Sequence, residues 1–302
     1  MQGSPGKPTD SNGSHRGAPT LFGIVNITED SFSDGGQYLD ESALERRILE
    51  LDSNGCDVLD LGAASSNPKA HPVDPVTEIR RLEMALGIVE RLRNARNLNP
   101  AMAISVDSFS PAVQRFALSC NVDYLNDIAG FRHSDLYEDL ARSHCNLILM
   151  HAIQEGVATE THVDPATILP RIIEFFGSRL QALQSAGIAR NRIILDPGMG
   201  FFLGTDPECS LTVLRNLNVI RAEFGLPLLV SVSRKSFLGS LTGRPPSDRG
   251  PATLACEMYL ADRVEYIRTH DTGALRDALA VQNRLKSASG SHQGFGQASQ
   301  SF

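Results

Sequence analysis

The chain is 302 residues long, 41% hydrophobic and 21% charged, an ordinary globular composition with room for one large barrel or two average domains. Its net charge of −7 speaks against nucleic acid or an acidic membrane surface as partner, and no apolar run approaches the roughly 20 residues of a membrane helix. The five cysteines (Cys56, Cys120, Cys145, Cys209, Cys256) are scattered and form no C-x-x-C pair, which argues against a disulfide framework or a structural zinc site and suits the cytoplasm.

Residues 1–19 are rich in Gly, Ser, Pro and Asn without a hydrophobic period and are expected to form a disordered leader. Residues 287–302 have the same character and are expected to be a disordered tail. Between them, 20–286 is expected to be a single domain. Short apolar, β-branched runs recur at Leu21–Asn26, Asp57–Leu61, Met102–Asp107, Tyr124–Ile128, Leu147–His151, Ile193–Asp196, Leu228–Ser233 and Val264–Thr269. Amphipathic stretches alternate with them, as at Asp40–Asn54, Thr77–Arg93, Leu169–Ala186 and Cys209–Phe224. Pro111 and Gly187 stand where helix start and stop signals belong. Eight strand–helix units point to an α/β fold with a parallel sheet, and eight is the number that closes as a (β/α)8 TIM barrel; an open doubly wound sheet is the alternative.

In a barrel the reactive surface forms where strands end and βα loops begin. The eight runs end at Asn26, Asp60, Asp107, Asn126–Asp127, Met150–His151, Asp196, Ser233–Arg234–Lys235 and Arg268–His270. Taken singly, an Asp or Asn there is as easily a turn former or helix cap. Eight together are expected to ring one mouth. Asp107, Asn126, Asp196 and Lys235 offer acceptor-only carboxylates, a two-way amide and a three-donor cation, which matches the edge of a 2-amino-4-oxo pterin and equally that of a guanine-like ring. Asn26, Arg234, Arg268 and His270 form a second set. With Lys235 it gathers positive charge suited to an anionic leaving group, and Asn26 is suited to one ligand position on Mg2+. The glycines of Asp196-Pro-Gly-Met-Gly200 are expected to let backbone approach a flat ligand, or to make a tight turn. The absence of G-x-x-x-x-G-K-[ST] and G-x-G-x-x-G motifs leaves a nucleoside triphosphate or dinucleotide unsupported.

The segments Gly23-Ile-Val-Asn-Ile-Thr-Glu-Asp-Ser-Phe-Ser-Asp34, Ser105-Val-Asp107, Asn126-Asp-Ile128, Leu195-Asp-Pro-Gly-Met-Gly200, Ser233-Arg-Lys-Ser236 and Arg268-Thr-His270 resemble the dihydropteroate synthase family, in order, from about Leu21 to Leu285. The resemblance implies a transferase that condenses 6-hydroxymethyl-7,8-dihydropterin pyrophosphate with 4-aminobenzoate, releasing pyrophosphate before the arylamine attacks. It implies Asp60, Asp107, Asn126, Met150, Asp196 and Lys235 around the pterin, and Ser66, Pro68, Phe201, Phe202 and Ser233 around aminobenzoate. It further implies Asn67, Arg268 and His270 on pyrophosphate, with Asn26 on Mg2+. Asp107, Asp196, Lys235, Arg268 and His270 would carry the chemistry, and a homodimer is the expected assembly.

Two departures are visible. The loop after Asp60 reads Gly62-Ala-Ala-Ser-Ser-Asn-Pro68, with Asn67 where the family's Arg would stand, and the Asp196 loop continues Phe201-Phe202-Leu203. Both, with Gly130-Phe131, resemble the Sul-type synthases that confer sulfonamide resistance. The alternatives are a methyltetrahydrofolate-dependent methyltransferase domain, a Schiff-base aldolase using Lys235, and a pterin-binding protein without turnover.

Overall fold

Aspartate–proline and serine–proline steps open four of the helices. Pro75, Pro111, Pro165 and Pro207 occupy first-turn positions where a missing N–H costs nothing. Asp74, Asp164 and Asp206 accept the first free amides with their side chains. The computed structural model describes residues 17–28, 40–64, 72–154 and 157–288; the readings of 1–16, of 289–302 and of Ser66, Asn67 and Pro68 lie outside the described residues.

The elements run β1 (Thr20–Asn26), α1 (Glu41–Ser53), β2 (Val58–Gly62), α2 (Pro75–Asn94), β3 (Ala103–Asp107), α3 (Pro111–Ser119), β4 (Tyr124–Asp127), α4 (Tyr137–Arg142) and β5 (Asn146–Met150). They continue with α5 (Pro165–Ser185), β6 (Ile193–Asp196), α6 (Pro207–Arg215), α7 (Leu217–Phe224), β7 (Leu229–Val230), α8 (Ser236–Thr242), α9 (Gly250–Leu260), β8 (Tyr266–Thr269) and α10 (Thr272–Ala288). All eight strands are parallel, in the order β6-β5-β4-β3-β2-β1-β8-β7. A parallel bridge from Leu195 to Leu228 joins the two ends, so the sheet is the expected TIM barrel and not an open one.

Two elements differ from expectation. The seventh ladder stops at Val230 instead of Ser233, because the Lys235 N–H turns back to the Val232 carbonyl at 3.2 Å. The stretch expected as one helix over Cys209–Phe224 breaks at Asn216 (φ −117°, ψ 21°), whose side-chain amide donates to the Thr212 carbonyl at 2.8 Å.

The strands alternate strictly, and this places the site. Leu21, Val25, Leu59, Leu61, Ile104, Val106, Leu125, Leu147, Leu149, Ile193, Leu195, Val230 and Ile267 face the helices and join the main core. The opposite set fills the barrel. Phe22, Val58, Ile148, Ile194 and Leu229, with Ala103, Tyr124 and Tyr266, form an apolar floor. Its rings meet edge to face, Phe22–Tyr124 at 5.0 Å and Phe22–Tyr266 at 5.8 Å. Two residues further along, the inward positions turn polar, with Asp60 beside Ser105 and Met150 beside Asp196 in register. One more step brings Asp107 beside Asn126.

Candidate active site

Asp60, Asp107, Asn126, Met150, Asp196, Ser233, Arg268 and His270 all share the inward parity, so the structure brings these expected residues to one mouth. Asp127 and His151 do not belong there. Each sits one residue past an inward side chain and faces the helix layer. Asp127 accepts from Gln114 Nε2 (2.9 Å), Ala129 N (2.7 Å) and Phe131 N (3.0 Å). His151 lies edge to face with Phe175 at 5.2 Å, and burial pushes its pKa down to about 4.

Arg268 forms the centre of the mouth. Its Nε donates to Asp60 Oδ2 and its Nη2 to Asp107 Oδ2, both at 2.5 Å. By sequence Arg268 belongs with the anion ligands and the two aspartates with the pterin ligands. In the structure these sets interlock, and one guanidinium holds both carboxylates. Burial pushes the Asp107 carboxyl up, against the pull of Arg268. Asp196 is likewise raised by burial, to about 6, opposed by the Gly198 amide that donates to Oδ1 at 2.8 Å. Burial lowers Lys235 to about 8, aided by Arg268 and opposed by Asp196 and Asp107. Its Nζ lies 5.1 Å from the centre of the Phe202 ring.

His270 does not add to the positive charge. Burial, and then the cations Arg234, Arg268, Lys235 and Arg47, push its pKa down to about 3. Ser233 Oγ lies 2.9 Å from Nδ1 and accepts the His270 amide at 3.2 Å. In the tautomer with its proton on Nε2, the neutral imidazole accepts the Ser233 hydroxyl proton at Nδ1.

Among the described residues, four buried polar atoms with inward parity have no hydrogen-bond partner: Asp60 Oδ1, Asn126 Oδ1, Ser105 Oγ and Ser231 Oγ. Two are acceptor-only oxygens and two are hydroxyls, and a polar ring bearing N–H donors would satisfy the acceptors. Phe202 is buried against Ile128, Met150 and Ala158, with Phe201 partly buried beside it. The glycines after Asp196 serve the turn. Gly198 and Gly200 have φ of +74° and +66°, and a Cβ on them would meet the His151 carbonyl at 2.4 Å and Ser236 Oγ at 2.9 Å.

Several supports escaped the sequence reading. Arg47, on α1, donates to the His270 carbonyl at 2.5 Å. Arg249 donates to the Arg234 and Lys235 carbonyls at 2.9 and 3.2 Å, and Thr253 Oγ1 accepts the Arg234 amide at 3.1 Å. Together they hold Arg234 at φ +59°, a left-handed conformation unusual for a non-glycine residue. The helical spacing of these residues carries no signal, because their role exists only once the helix docks. Arg234 itself is exposed.

The family described as pterin binding enzyme matches residues 22–270. Among curated proteins, dihydropteroate synthase type-2 of Escherichia coli is 49% identical over 88% of this chain and 96% of its own, and the type-3 enzyme of the same organism is 47% identical over 88% and 98%. Among solved structures, the Xanthomonas albilineans dihydropteroate synthase with 4-aminobenzoic acid superposes with a TM-score of 0.78 at 33% identity, covering 89% of this chain and 94% of that one. The chain belongs to the pterin-binding enzyme family, and within it to the dihydropteroate synthases, which are transferases.

Proposed function

We propose that this mouth condenses 6-hydroxymethyl-7,8-dihydropterin pyrophosphate with 4-aminobenzoate to 7,8-dihydropteroate, and does so in the presence of sulfonamides. The observation that carries the reading is the inward ring of Asp107, Asn126, Asp196 and Lys235 with unpaired acceptors at Asn126 and Asp60. Ionised Asp196 accepts the pterin's amino and ring N–H donors. The bond from the hydroxymethyl carbon to the diphosphate oxygen breaks and its electron pair leaves with pyrophosphate. The Asp107 and Asp196 carboxylates stabilise the pterin cation left behind, and Lys235 and the Nε2–H of neutral His270 face the departing anion. The arylamine nitrogen then bonds to that carbon and releases a proton to water. Ser233, Phe201 and Phe202, with Ser66 and Pro68, would frame aminobenzoate, and Asn67 would join the pyrophosphate contacts.

Asn26 is exposed at the end of β1, and a Cβ at Gly62 would lie 3.8 Å from both its Oδ1 and Asp107 Cβ. No cluster of three or more His, Cys, Asp or Glu able to hold a metal occurs among the described residues. A single neutral oxygen fits Mg2+ that takes its remaining ligands from phosphates and water. When bound, the ion would neutralise charge on the diphosphate. Sulfonamide insensitivity is supported by the identity with the type-2 and type-3 synthases, and a homodimer and a cytoplasmic setting belong to the same reading.

The direct test is pyrophosphate release from the pterin pyrophosphate. Turnover is expected with 4-aminobenzoate and to continue when sulfamethoxazole is added. Binding of the pterin without any aminobenzoate-dependent release would overturn the enzymatic reading.

A further inference from the structure

We propose that a cavity outside the barrel, between the loops after β4 and β5 and the flank of α5, is a second site that binds a small carboxylate with an apolar body. The cavity measures about 250 Å³ and is lined by Ile128, Arg132, Ile153, Gln154, Phe175 and Arg179, with Ala129 and Ala152 between them. None of the mouth residues Asp60, Asp107, Asn126, Asp196, Lys235 or Arg268 lines it. Ile128, which packs against Met150 and Phe202, is the shared wall.

The cavity's charge identifies the class of ligand. Among the described lining residues Arg179 and Arg132 carry guanidinium groups and none carries a carboxylate, in a chain whose net charge is −7. Arg179 is held from behind, with Nη1 donating to the Tyr137 hydroxyl at 3.2 Å and the Phe131 carbonyl at 3.5 Å. Its guanidinium carbon stands 5.9 Å from the Phe175 ring centre, and its Nε is buried without a partner. Gln154 Oε1 is likewise buried and unpaired. A planar guanidinium with unspent donors suits a carboxylate. Phe175, Ile128 and Ile153 offer the apolar walls for a ring or branched chain. The volume, below the ~300 Å³ at which pockets begin to take drug-sized ligands, limits the occupant to about one ring.

The backbone that shapes the wall is itself strained. Gly130 and Phe131 are successive left-handed residues, φ +68° and +51°, and a Cβ at Gly130 would lie 2.4 Å from Phe175 Cζ. Asp127 fixes this turn by accepting the Ala129 and Phe131 amides.

The probe is 4-fluorobenzoate, followed by fluorine NMR and calorimetry, with 4-fluorobenzamide as its neutral counterpart. Binding is expected to weaken at least tenfold in Arg179→Gln and in Ala129→Leu, which fills the cavity without touching charge, and to survive Lys235→Gln in the mouth. The amide is expected to bind at least tenfold more weakly than the acid. Thermal melting reports whether each variant is folded, and Ala129→Leu decides the matter if loss of the Tyr137 contact unfolds Arg179→Gln. Binding that disappears in Lys235→Gln but persists in both cavity variants, equal binding of acid and amide, or no binding at all overturns the proposal.

Discussion

Arg268 reaches Asp107 across the barrel mouth, Nη2 to Oδ2 at 2.5 Å, although β1 and β2 lie between their strands. The same guanidinium takes Asp60 on the way. Without it, a buried carboxylate and a partly buried one would face one mouth with only Lys235 to offset them. The arginine therefore decides how the carboxylates point before any substrate arrives.

Arg268→Ala is expected to destabilise the fold by about 3–5 kcal/mol, the cost of removing one partner from a buried ion pair. It should lower affinity for neutral pterins as well as charged ones, since Asp107 loses its anchor. The sign with pH follows from Asp107, whose carboxyl burial pushes up and Arg268 pulls down. Without the arginine its folded pKa stands further above the unfolded value, so the stability it contributes is present at low pH and lost as pH rises through the folded pKa. The deficit relative to wild type should thus shrink toward about pH 4. Denaturant titrations at two pH values measure this, and Arg268→Ala with Asp107→Asn should recover part of the loss. A deficit that grows on acidification would show that Arg268 does not serve these carboxylates.

Asp196 and Lys235 set a pH window. In the proposed reaction Asp196, raised to about 6, is ionised to accept the pterin's donors, and Lys235, lowered to about 8, is protonated to face an anion. kcat/KM should rise through the first value and fall through the second. Lys235→Arg should remove the alkaline limb, because a guanidinium stays charged throughout. Asp196→Asn should leave the acid limb to Asp107 alone, whose carboxyl burial also pushes up, and cost at least tenfold in pterin affinity, a mispaired buried group costing about 1–3 kcal/mol. A profile that stays flat from about pH 5 to about pH 9 would exclude both groups from the reaction.

The two phenylalanines after Gly200 divide their work. Phe202 is 5% exposed, packs against Met150 and lies under Lys235, whereas Phe201 is only partly buried. Both ligands, aminobenzoate and a sulfonamide, offer an aniline and two oxygens, so the proposed rejection of the drug requires bulk and not lost attraction. Phe201→Gly should restore sulfamethoxazole inhibition with little change in aminobenzoate use. Phe202→Gly should instead lower stability by about 3–5 kcal/mol and weaken pterin binding through Lys235. Inhibition constants of the two variants separate these roles, and an unchanged constant in Phe201→Gly would move the discriminating element elsewhere.

Strand ends made most of the site legible in the sequence, because apolar runs that stop at polar residues are what barrel strands look like from one end. The finer sorting was legible too, but only through alternation. Asn126 and Asp127 are neighbours, so one had to face the helices, as did His151 beside Met150. Charge state was not legible: His270 reads as a cation by type, and only its burial among four cations makes it neutral. Arg47 and Arg249 were invisible because they act on backbone carbonyls, Arg47 from α1 and Arg249 from the residue before α9. The pairing of Arg268 with both aspartates needed the barrel's closure, which spacing along the chain does not encode.

The alternation that separates floor from mouth also bears on how such a chain can diverge. On β2, Leu59 and Leu61 face the helices while Asp60 between them faces the reaction, and on β8 Ile267 stands beside Arg268 in the same way. A single inserted or deleted residue inside either strand would put the charge into the helix layer and the leucine or isoleucine into the mouth. Length changes are therefore lethal within strands, while the βα loops can lengthen or shorten without disturbing a single inward side chain. New specificities in this lineage must come from loop insertions and point replacements, and the partly buried Phe201 in the loop after β6 stands where a replacement disturbs the packing least.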